Sequence, residues 1–137
     1  MKRIKPKAVL LGVLVDLGGS IVVGLVLAIA VAVVAGLGGD LSPGRMADLR
    51  SNSYLKLVGL IGTTFSTGLG GYVAARQSRP HGVSNAVAVG IVSLLLGITI
   101  AVLFPGVSPV WKVAAGAIVT LPAAYLGGRI ADKRALS

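Results

Sequence analysis

Four uninterrupted apolar runs, at about 8–36, 54–75, 82–104 and 109–130, decide what this chain can become. Each is long enough for a helix to cross a hydrocarbon core of roughly 30 Å at about 1.5 Å per residue. Inside a bilayer the backbone must bond within its own segment or in a closed barrel. A barrel would show short strands of alternating polarity, and these runs do not alternate. With 55% hydrophobic and 12% charged residues and a mean hydropathy of +0.92, the 137-residue chain cannot cover itself with a polar surface. The expected fold is an all-α membrane protein, one domain over residues 1–137 with four transmembrane helices. The first run also resembles a secretory signal, since Lys2, Arg3, Lys5 and Lys7 precede it and small residues such as Ala28 and Ala30 lie near its far end. Its length and the aspartate within it favour a spanning helix.

The basic residues set an expected orientation. Lys2, Arg3, Lys5 and Lys7 lead the first run, Arg76 and Arg79 lie in the 76–81 loop, and Arg129, Lys133 and Arg134 close the chain. The other side holds Arg45, Arg50, Lys56 and Lys112, partly offset by Asp40 and Asp48. Because cytoplasmic flanks carry the excess of Lys and Arg, both termini are expected in the cytoplasm of a prokaryotic cell, beside anionic lipids of the cytoplasmic membrane. The net charge of +9 does not point to nucleic acid, because the cations cluster at helix ends with few aromatic residues between them.

Chemistry-bearing residues are few. There is no cysteine, and the single histidine, His81, sits beside Pro80 in a loop with no second ligand of its kind. Neither a nucleophile–base pair nor a phosphate loop is visible, so no enzyme activity, cofactor or metal is expected. Ser84 and Asn85 are expected to cap the third helix or bond to a neighbour. Ser42-Pro43 reads as a helix start, opening a short surface helix near 45–49 with Met46 and Leu49 toward the bilayer interface. Tyr54 and Trp111 read as interfacial anchors, and Pro122 should kink the fourth spanning helix.

A repeat is written into the chain. Leu69-Gly70-Gly71-Tyr72-Val73-Ala74-Ala75-Arg76 recurs as Leu126-Gly127-Gly128-Arg129-Ile130-Ala131-Asp132-Lys133, 57 positions on. Ser20-Ile21-Val22-Val23-Gly24 is echoed by Ser93-Leu94-Leu95-Leu96-Gly97 at an offset of 73. Two parallel-repeat helical hairpins follow, about 1–79 and 80–137, related by a pseudo-two-fold axis along the membrane normal. Small residues stand on every fourth position of both returning helices: Gly59, Thr63, Thr67, Gly71 and Gly116, Thr120, Ala124, Gly128. Gly62, Ser66, Gly70 and Ala74 form a second ridge, and Gly127 adjoins the other. Such ridges let backbones approach in lipid, where dispersion holds helices together, so the two returning helices should pack closely. A pore lined by glycines and hydroxyls is the alternative reading of the same ridges.

Asp16 is the exception in the first run. Nine residues beyond Lys7, it stands about 13 Å along the helix. The same count back from Arg76 reaches Thr67, which puts Thr63, Thr64 and Thr67 within range. A carboxylate buried without partners is costly. It is therefore expected to act as a polar clasp between the first and second spanning helices. Intramembrane carboxylates also mark ion pathways, so a proton or cation site is the competing reading.

With GS after the aspartate, GGYVAAR closing one helix, HG opening the next, SLLLG within it and LGGR closing the last, the chain resembles a group of small, uncharacterised four-helix prokaryotic membrane proteins. That resemblance implies a fold but no activity. Asp16-x-x-Gly19-Ser20-x-x-x-Gly24 and Thr63-Thr64-Phe65-Ser66-Thr67 are similar to two motifs of the fluoride channels, with Asp16 in place of their asparagine and Ile21 in place of their phenylalanine. Four helices with one carboxylate in the first also resemble the small multidrug exporters, which have glutamate there. The expected function is that of a structural or accessory membrane subunit, in a homodimer or a larger membrane complex; the alternative is a proton-coupled or small-ion transporter using Asp16.

Overall fold

The computed structural model describes residues 4–104 and 110–134, all helical apart from short connections. Lys2, Arg3, the 105–108 connection and Pro109 lie outside the described residues. Five helices follow in order: α1 Pro6–Leu37, α2 Pro43–Ser51, α3 Ser53–Gln77, α4 Gly82–Leu103 and α5 Val110–Lys133. Four of them, all but α2, are long and apolar enough to cross a membrane. The protein is thus a multi-pass, all-α membrane protein. At 32 residues, or about 48 Å, α1 exceeds what a bilayer requires.

Local chemistry explains the boundaries. Pro6 occupies the first turn of α1, where no backbone donor is needed. At the other end Gly39 has φ 71°, a left-handed conformation that suits glycine and stops the helix. Ser42 caps α2 by accepting from the Arg45 N–H at 3.3 Å, ahead of Pro43. In the same turn Asp40 accepts from the Ser42 N–H at 2.8 Å, and bonding to Ser42 holds its carboxyl below the usual range. Met46 and Leu49 are half-buried on α2, which packs against α1 and α3. Tyr54 and Trp111 are exposed near the α2 end, and α5 continues through Pro122.

In the packed arrangement α3 and α4 lie between α1 and α5. α3 contacts every other helix, whereas α1 and α5 do not meet among the described residues. A two-fold axis relating the hairpins would make the α3–α4 and α1–α5 pairs equivalent, so the contacts depart from that symmetry. α1 runs parallel to α4, with Lys5 beside Asn85 and Asp16 beside Ser93, and α3 runs parallel to α5, with Thr63 and Thr120 at one crevice and Gly68 against Gly127.

The core is built from small residues near the end that carries the termini. Ala74, Ala75, Ala86, Val89 and Ala124 are fully buried there. Large side chains point outward instead, as at Ile21, Phe65 and Ile118, each more than two-thirds exposed. This inverts the soluble pattern and gives lipid the apolar exterior it requires.

The expected glycine contacts can be placed one by one. A Cβ on Gly59 would come 3.1 Å from Leu27 and one on Gly62 2.7 Å from Val23, both on α1. One on Gly70 would come 2.5 Å from the Gly12 carbonyl oxygen, and one on Gly71 2.5 Å from that of Ala124. Gly127 lies so close to Gly68 that a Cβ there would overlap the Gly68 carbonyl, and Gly128 abuts Ala86 of α4 at 2.7 Å. Gly116 differs, because a Cβ added there would meet nothing within 4 Å. It faces a crevice rather than a helix.

Candidate functional site: a carboxylate between three helices

Asp16 is 5% exposed, on the face of α1 that meets α3 and α4. Gly12, one turn earlier, allows that approach, since its backbone lies against Gly70 of α3 and Val89 of α4. Both carboxylate oxygens are engaged. Thr67 Oγ1 of α3 donates to Oδ1 at 2.8 Å, and Ser93 Oγ of α4 donates to Oδ2 through a short contact. Thr67 shares its proton with the Thr63 carbonyl at 3.1 Å. One side chain of α1 thus ties together the two helices on which it rests.

The other candidate threonines are placed differently. Thr63 Oγ1 donates to the Gly59 and Leu60 carbonyls, both at 3.0 Å, and Thr64 Oγ1 donates to Leu60 at 2.7 Å. These are bonds back into α3, common for hydroxyls inside helices. Ser93, which the sequence singled out only as part of a repeat, takes the place beside Asp16 instead. Its signal was positional: about ten residues beyond Gly82 on a helix parallel to α1, it is the polar side chain nearest the level of Asp16.

Above this layer, toward α2, a crevice of about 270 Å³ opens among α3, α4 and α5. Thr63, Ser93 and Thr120 line it together with aliphatic side chains. Ser93 therefore faces both the crevice and the carboxylate.

A second polar group secures the terminal end. Asn85 is fully buried; its Oδ1 accepts from the Lys5 backbone N–H at 2.7 Å, and its Nδ2 donates to the His81 carbonyl at 2.8 Å. It joins the start of α1 to the start of α4. The Asp132 carboxylate of α5 lies against Gly82, the first residue of α4, where the helix end favours negative charge. His81 is half-buried at the N-cap of α4. Among the described residues no three His, Cys, Asp or Glu side chains gather as a metal site would need.

Comparison with protein-family models, curated proteins and solved structures finds no match.

Proposed function

We propose that the protein is a non-catalytic integral membrane protein, a structural or accessory subunit of the prokaryotic cytoplasmic membrane with both termini in the cytoplasm. One observation carries this reading. Asp16, the single carboxylate in the middle of a span, has both oxygens occupied by hydroxyls of neighbouring helices, so its hydrogen bonds serve assembly. The basic flanks Lys5, Lys7, Arg76 and Arg134 suit anionic headgroups on the cytoplasmic side. The mostly apolar, glycine-bearing exterior leaves room for a second copy or a larger complex. In purified form and reconstituted into liposomes, the protein is expected to carry protons, potassium, fluoride and a cationic dye no faster than protein-free vesicles do.

The crevice favours a second reading, a small-ion or proton-coupled transporter, because it descends to Ser93 and so to Asp16. Flux above background that Asp16→Asn abolishes would establish this reading in place of the first.

A further inference from the structure

We propose that the crevice among α3, α4 and α5 binds a primary ammonium ion bearing a short alkyl chain. This goes beyond the accessory role and does not require the ion to cross the membrane.

The first argument is position. Thr63 stands ten residues from the start of α3, Ser93 ten from the end of α4 and Thr120 ten from the start of α5. All three are about 15 Å from the α2 end of their helices. Three helices therefore deliver three hydroxyls to one level, and all three line the same crevice.

The second argument is hydrogen-bond bookkeeping. A hydroxyl has one proton to donate and two lone pairs to accept with. Each of these protons is already committed. Thr63 donates to the Gly59 and Leu60 carbonyls, Thr120 donates to the Gly116 carbonyl at 2.6 Å, and Ser93 donates to Asp16. What the hydroxyls can still offer a ligand is lone pairs. Behind Ser93 lies a carboxylate whose two partners, Thr67 and Ser93, are both neutral. The site thus calls for a donor with positive charge and rejects anions, fluoride included.

The third argument is shape. Leu60, Leu94 and Val113 form aliphatic walls around the hydroxyls. A bare inorganic cation makes no apolar contact with those walls. A primary ammonium supplies one N–H for each of three hydroxyls, and its alkyl chain covers the walls. Butylammonium has five heavy atoms, roughly five times a water's share of about 30 Å³, and fits within about 270 Å³.

Isothermal titration of the full chain in non-ionic detergent with butylammonium chloride tests this directly. One saturable site is expected, with 1-butanol and tetramethylammonium each binding about tenfold more weakly or worse, since one lacks the charge and the other every N–H donor. Thr120→Val should weaken butylammonium about tenfold and Thr120→Ser should restore it, because only the oxygen matters. Asp16→Asn should weaken it as well; Thr120→Val decides the matter should that variant fail to fold, being remote from the Asp16 bonds. Absence of saturation, equal binding of butanol, indifference to Thr120→Val, or displacement by equimolar sodium would each overturn the assignment.

Discussion

Gly127→Leu is expected to destabilise the bundle by about 3 kcal/mol, at the upper end of overpacking costs, because the added side chain meets backbone rather than a movable side chain. Gly127 lies against the Gly68 carbonyl and the Tyr72 N–H, so α3 and α5 must separate to admit any Cβ. Their contact runs on through Gly71 and Ala124, so displacement at one point loosens the whole interface. Gly24→Ala is the matching control. A Cβ added at Gly24 would meet nothing within 4 Å, and alanine there should be neutral or stabilising by up to about 1 kcal/mol through its better helix propensity. Unfolding in mixed micelles, followed by circular dichroism, measures both. Equal effects of the two substitutions would mean that α3 and α5 do not meet along this ridge.

Asp16→Leu is expected to cost about 1–2 kcal/mol, the worth of one or two interhelical hydrogen bonds in a membrane bundle. The loss is bounded because Thr67 can fall back on the Thr63 carbonyl it already reaches at 3.1 Å. Ser93 is left without the acceptor on α1 that it uses in the native protein. Asp16→Asn should change stability by less than about 0.5 kcal/mol, because an amide still offers one acceptor and hydroxyls can rotate to accept from its N–H₂ group. A clasp therefore tolerates asparagine and not leucine.

Much of this architecture is legible in the sequence, for reasons that differ between residues. The spans follow from hydrophobic length alone, and α2 follows from Ser42-Pro43. Counting helical rise inward from Lys7 and Arg76 brings Asp16 level with Thr67, and the structure joins the two. It does not separate Thr67 from Thr63, one turn away on the same ridge, nor from Thr64 on a different face; that choice depends on where α1 crosses α3. Ser93 escapes for a related reason. At the repeat offset of 73 Asp16 corresponds to Val89, which gives the carboxylate no counterpart in the other half; Val89 packs with Val13 and Ala74, while the parallel approach of α1 and α4 carries Ser93 to the carboxylate. Gly116 shares a ridge with Gly128, yet only Gly128 is in contact with a neighbouring helix. Periodicity identifies a face but not how far along it two helices stay together.

A double-mutant cycle between Asp16 and Ser93 reaches the centre of this account. Stabilities of the parent protein, Asp16→Ala, Ser93→Ala and the double variant would be compared under the same unfolding conditions. If the carboxylate clasps α1 to α4, the two substitutions are non-additive, with a coupling energy of about 0.6–1.7 kcal/mol. Strict additivity would contradict the clasp.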